Sequence, residues 1–137
     1  MAKIILASHG GLSKGMKDSV SMIVGDLAKD IETYSLLPGQ NPEDFYQEVL
    51  KEAKEYEEQI LILCDIKGGS VHTALSKLAV LDNVMVFSGM NMGLVLDAVM
   101  KGLNGKLELA EANDLIEVAK DGMTVMNGMT SEDDEDF

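Results

Sequence analysis

Residues 60–70 read Ile60-Leu61-Ile62-Leu63-Cys64-Asp65-Ile66-Lys67-Gly68-Gly69-Ser70. The opening apolar run is strand length, and its continuity, without alternation, fits a strand covered on both faces. An aspartate, two glycines and a serine able to open a helix follow it. Two runs of the same kind, Ile4-Ile5-Leu6-Ala7 and Val84-Met85-Val86-Phe87, lie on either side in the sequence.

Helical patterns separate these runs. Leu12, Met16, Val20, Ile23 and Leu27 recur at helical spacing and predict a first helix with one apolar face. Asn41-Pro42-Glu43-Asp44 predicts the start of a second, with Asn41 as N-cap, Pro42 in the first helical position and Asp44 reaching back as in a capping box. Its stripe is Phe45, Val49, Ala53 and Tyr56, and seven acids crowd residues 43–58. A third helix should start at Ser70 and bury Ala74, Leu75, Leu78 and Ala79. A fourth spans residues 91–101 with Leu94, Val95, Ala98 and Val99. A fifth shows Leu109, Ala112, Ile116 and Ala119 and ends near Gly122. Residues 31–36 supply the strand needed between the first two helices and alternate like an edge. The pattern leaves room for a last strand at Met123-Thr124-Val125. Strands alternating with helices predict an α/β fold: a doubly wound, mainly parallel four-stranded sheet of order 2-1-3-4 with helices on both faces.

With 137 residues, 46% of them hydrophobic and 26% charged, the chain has enough apolar material for one core. The net charge of −13 argues against nucleic acid and anionic membrane surfaces, and it would steer in a partner with a basic face. Five acids lie together in residues 132–136. The expected organisation is therefore one domain over residues 1–130 and a disordered acidic tail over 131–137. One cysteine, Cys64, permits no internal disulfide and no cysteine cluster for a metal. The apolar run near the N-terminus is too short for a signal peptide, and no run approaches the roughly 20 residues of a membrane span, so a cytoplasmic location is expected.

An open parallel sheet binds ligands at the carboxyl ends of its strands, where the strand order reverses. In the order 2-1-3-4 that point lies between strands one and three. It brings Ser8-His9-Gly10-Gly11 beside Asp65-Ile66-Lys67-Gly68-Gly69-Ser70. A carboxylate accepting the Nδ1 proton of an imidazole fixes the tautomer, leaves the Nε2 lone pair outward and stabilises positive charge on the ring. Gly10, Gly11, Gly68 and Gly69 allow close backbone approach, and the helix starts near Leu12 and Ser70 aim amides at the same place. Ser70 could cap its helix, donate to an anion, or alternate between the two.

Taken singly, each residue has a plainer reading. His9 could be a loop residue, Asp65 a turn former, and Gly68-Gly69-Ser70 a loop and N-cap. What sets them apart is the pairing of His9 and Asp65 at both lips of the switch point. His72 should lie in the first turn of the third helix, with a surface or packing role favoured and a supporting role behind the site left open. Cys64 reads as core, as do most of the methionines late in the chain. The G-x-G-x-x-G and P-loop signatures are absent, which argues against a dinucleotide or ATP, and the spacing of His9, Asp65 and His72 matches no familiar metal-ligand signature, so neither a cofactor nor a metal is expected.

Three segments carry a resemblance to a known family: Ile4-Ile5-Leu6-Ala7-Ser8-His9-Gly10, Leu37-Pro38-Gly39-Gln40-Asn41-Pro42-Glu43-Asp44 and Leu63-Cys64-Asp65-Ile66-Lys67-Gly68-Gly69-Ser70. Over nearly all of residues 3–125 the chain resembles the enzyme IIA component of the mannose family of the bacterial phosphoenolpyruvate-dependent sugar phosphotransferase system. The resemblance implies a phosphocarrier in which His9 takes a phosphoryl group from HPr and passes it to a cysteine- or histidine-bearing IIB partner, with a histidine favoured here and the membrane components IIC and IID downstream. It implies that Asp65 pairs with His9 and that Ser70 and nearby amides hold the phosphoryl oxygens. It also implies a homodimer in which a C-terminal strand, here near residues 123–125, is exchanged. The phosphotransfer subunit of dihydroxyacetone kinase is similar in fold and active histidine, but Pro38-Gly39-Gln40-Asn41-Pro42-Glu43-Asp44 favours the sugar-transport branch. A non-enzymatic module holding a small anion in the same cradle is the reading from another class.

Overall fold

The computed structural model of the chain describes residues 1–128, so the acidic run at 131–137 lies outside the described residues. Four strands form one parallel sheet: β1 (Lys3–His9), β2 (Glu32–Leu36), β3 (Ile60–Cys64) and β4 (Val84–Phe87). Their order is β2-β1-β3-β4, as the alternation of elements predicts. The helices are α1 (Leu12–Val24), α2 (Pro42–Glu55), α3 (Ser70–Leu75), α4 (Met92–Gly102) and α5 (Leu109–Asp121).

Side chains on the central strands alternate between two cores. Ile4, Leu6, Leu61 and Leu63 face one layer, packed with Val20 of α1, Leu94 and Val95 of α4, and Ala112 and Leu115 of α5. Ile5, Ala7, Ile60, Ile62 and Cys64 face the other, packed with Phe45 and Val49 of α2 and with Val71 and Leu75 of α3. Both faces of β1 and β3 are thus apolar, which is why these strands read as unbroken hydrophobic runs. Asn41 caps α2 by accepting from the Glu43 amide at 3.0 Å, with Pro42 in the first turn. Asn91 caps α4 in the same way through the Leu94 amide at 2.8 Å.

Three expectations about packing change. On α1, Val20 is buried and Met16 packs against the core, but Leu12, Ile23 and Leu27 are exposed. The helix tightens into a 3-10 turn over Gly25–Ala28, which breaks the 3.6-residue period and buries Ala28 instead of Leu27. The same tightening over Ser76–Val80 after α3 buries Leu78 and leaves Ala79 outside. On α5, Leu115 takes the buried place and Leu109 is exposed. Residues 123–125 form no strand within this chain, and Met123, Val125 and Met126 stand in the open.

Candidate functional site

The carboxyl ends of β1 and β3 carry His9 and the residue after Cys64, Asp65. The parallel register sets Ala7 beside Cys64, so the two strands deliver the ring and the carboxylate to the same lip of the sheet although 56 positions separate them. His9 Nδ1 and Asp65 Oδ2 lie 2.8 Å apart. The His9 main-chain amide donates to the same oxygen at 2.8 Å, and the Ile66 amide donates to Oδ1 at 2.9 Å. Burial alone would raise the Asp65 pKa. The bonds from the His9 amide, the His9 ring and the Ile66 amide outweigh that cost and hold it below the ordinary carboxylate value. An ionised carboxylate only accepts, so Nδ1 carries the ring proton and Nε2 the lone pair.

The His9 side chain is 49% exposed, whereas that of Asp65 is 9% exposed. Ser70 Oγ stands 3.1 Å from Nε2 and donates its hydrogen to it. Gly69 packs against the ring: a Cβ built there would lie 3.3 Å from His9 Cε1 and 2.8 Å from Ile66 Cγ2. The chain turns at Gly10 with φ +56° and at Gly68 with φ +79°, conformations that favour glycine.

The glycine amides are less free than the sequence suggests. Gly10 donates to Leu36 O at 2.8 Å, extending the pairing of β1 with β2. Gly69 donates to Ile66 O at 3.2 Å, and Gly68 to His72 Nδ1 at 3.0 Å. The Ser70 and Val71 amides, which open α3, have no hydrogen-bond partner among the described residues. Gly11 precedes α1 without a side-chain cap. That duty falls to Ser8, a buried residue whose Oγ accepts from the Ser13 amide at 2.8 Å. Ser13, also buried, donates to Tyr34 O at 2.8 Å and ties α1 to β2. Sequence reasoning passed over both serines. The available signal was a polar residue closing the buried run of β1, which needs a partner inside the protein.

His72 turns its Nδ1 to the Gly68 amide and joins no ligand set with His9 and Asp65. No group of three or more His, Cys, Asp or Glu side chains among the described residues is placed to hold a metal ion. Cys64 is buried, and burial with the adjacent Asp65 charge pushes its thiol up to about 12, so it carries no thiolate. No helix among the described residues is long and apolar enough to cross a membrane.

The His9 ring, half exposed at the carboxyl end of β1, is reachable from solvent. A concavity of about 480 Å³ lies at the opposite, amino-terminal end of the sheet, bordered by Lys3, Ile31, Tyr56 and Gly102.

The chain is similar to known proteins in sequence and in fold. Residues 3–116 match the family model EIIA-man, described as the PTS system fructose IIA component. The chain is 30% identical over 101 residues to the PTS system sorbose-specific EIIA component of Klebsiella pneumoniae, covering 72% of this chain and 73% of that protein. Its fold is shared with phosphotransferase system component EIIA from Streptococcus agalactiae, at a TM-score of 0.79 and 24% identity over 91% of this chain and 97% of that one. The mannose/sorbose specific IIA subunit from Enterococcus faecalis gives a TM-score of 0.78 and 24% identity over 94% and 97% of the two chains.

Proposed function

The chain belongs to the EIIA-man family and is a IIA component of a sugar phosphotransferase system, and from that premise we propose that it works as a phosphocarrier with His9 as its phosphoryl-bearing residue. One observation carries this reading: His9 Nδ1 stands 2.8 Å from Asp65 Oδ2 while the half-exposed ring turns Nε2 to Ser70 Oγ at 3.1 Å. In the proposed step the Nε2 lone pair forms a bond to phosphorus as the N–P bond of the donor breaks. The departing imidazole of the donor keeps the electron pair of that bond. The His9 ring, now bearing the phosphoryl group, keeps its Nδ1 proton, and Asp65 balances the ring's positive charge. The Ser70 hydroxyl leaves the lone pair it held and donates to a phosphoryl oxygen, beside the Ser70 and Val71 amides. Little bond-making has to be assisted in so loose a transition state, so alignment and charge neutralisation suffice.

HPr is the proposed donor and a histidine-bearing IIB component the proposed acceptor, with IIC and IID acting indirectly, all at the cytoplasmic side. The acidic surface fits a donor with a basic face. In this reading residues 1–130 are the carrier domain and 131–137 a solubilising tail. A homodimer by strand exchange is supported by the exposure of Met123, Val125 and Met126 and by β4, which among the described residues pairs only with β3. Light scattering of the whole chain against a chain ending at Asp121 tests it: a dimer reduced to a monomer is expected, and equal masses reject it.

The carrier reading is tested by incubation with phosphoenolpyruvate, enzyme I and HPr. One acid-labile phosphate per chain is expected, absent in His9→Ala. Label on His72, or none on any residue, rejects the assignment and leaves the anion-binding module.

A further inference from the structure

We propose that His72 is a positioning residue for phosphoryl transfer at His9, acting through the Gly68–Gly69 loop; the inference rests on the carrier reading and deepens it. His72 Nδ1 accepts the Gly68 amide at 3.0 Å across the turn that links β3 to α3. Gly68 sits at φ +79° and Gly69, the next residue, lies against the His9 ring, with a Cβ position 3.3 Å from Cε1. A continuous path therefore runs from the His72 ring through two glycines to the edge of the His9 imidazole.

Other restraints on this turn act at its ends. Asp65 Oδ1 holds the Ile66 amide, and the Gly69 amide closes back on Ile66 O. In the middle, the Gly68 carbonyl has, among the described residues, only a long contact of 3.4 Å from Thr73 Oγ1. The His72 ring is the one strong side-chain anchor on the Gly68 amide, and glycine is the residue with most freedom to move when released. A purely packing histidine has no need to present Nδ1 as an acceptor. Here Nδ1 accepts the Gly68 hydrogen, so any ring proton of this tautomer sits on Nε2.

Water can replace His72 as a partner for Gly68, because Gly68 is exposed. Loss of the anchor should therefore cost little stability while loosening the surface against which His9 is aligned. Asparagine separates the two effects, since its Oδ1 branches from Cγ as Nδ1 does and accepts the same hydrogen.

The test measures transfer from phosphorylated HPr together with amide hydrogen exchange at Gly68. His72→Leu should transfer about 10-fold more slowly and His72→Asn within about twofold of the parent, with unfolding temperatures close to that of the parent. The Gly68 amide should exchange faster in His72→Leu and remain protected in His72→Asn. Should His72→Leu fail to fold, His72→Ala carries the same expectation without added apolar bulk. A His72→Leu protein as fast as the parent, or His72→Asn as slow as His72→Leu, overturns the positioning role alone. A parent that takes no label on His9 overturns the carrier reading, and this inference with it.

Discussion

Asp65 Oδ2 binds His9 twice, accepting from its main-chain amide and from its ring Nδ1, both at 2.8 Å. A single carboxylate oxygen therefore fixes where the end of β1 stands, how the imidazole is turned and which nitrogen carries the proton. Oδ1 is anchored in turn by the Ile66 amide at 2.9 Å, so the carboxylate itself has little freedom to rotate.

Replacing Asp65 by asparagine removes the charge and sets an NH2 group against at least one of these donors. Asp65→Asn should lower the rate of phosphoryl transfer by roughly 100-fold or more, through loss of charge balance and of tautomer control. It should cost about 1 kcal/mol of stability from the mismatched donor, leaving the fold intact. Transfer rates equal to those of the parent in a rapid-quench assay would remove the orienting role.

The same carboxylate sets an acid limit on stability. Its pKa in the folded chain is lowered from the ordinary value, so the folded state favours the ionised form. Its contribution is complete above the unfolded carboxylate value of about 4, and it is lost as pH falls through that value and then through the lower folded one. Urea midpoints should show the gap between the parent and Asp65→Asn closing as the solution is acidified below about pH 5. A gap unchanged down to the acid end contradicts the assignment.

Gly69 offers a way to disturb His9 without touching it. Its φ of −69° suits alanine, so a methyl group there acts only through space. At 3.3 Å from His9 Cε1 and 2.8 Å from Ile66 Cγ2, the methyl must displace the Ile66 side chain, which is exposed and can yield, and must crowd the ring. Gly69→Ala should slow transfer about 10-fold while stability changes by less than about 1 kcal/mol. Calorimetry beside the kinetic assay checks both halves. A stability loss larger than the kinetic one contradicts the expectation.

Ser8 makes a different kind of prediction, because its partner is buried. Ser8→Ala leaves the Ser13 amide at the start of α1 without its acceptor, in a place that water does not reach. A loss of about 1–3 kcal/mol is expected from chemical denaturation. Replacement by threonine, which keeps the hydroxyl, should recover part of it. An unchanged midpoint in Ser8→Ala argues that α1 is capped by other means.

Much of this architecture was legible because its signals are local. The unbroken runs at β1, β3 and β4 announce strands covered on both faces, and Asn41-Pro42 marks the start of α2 to the residue. The meeting of His9 and Asp65 followed from strand order alone, since a parallel sheet fixes which strand ends are neighbours. Periodicity misplaced Leu27 and Ala79 where the helices tighten into 3-10 turns, because a change of winding leaves no mark in an apolar pattern.

The chain alone thus determined what repeats along it: element order, the two-sided core and the glycine-flanked pair of residue types at the switch point. Only the tertiary structure decided which amides are already spent and which remain. Gly10 is taken by Leu36 O, Gly69 by Ile66 O and Gly68 by the ring of His72, while the Ser70 and Val71 amides meet no partner among the described residues. A backbone donor looks the same in every sequence, and whether it is free depends on an acceptor that folding brings within 3 Å of it.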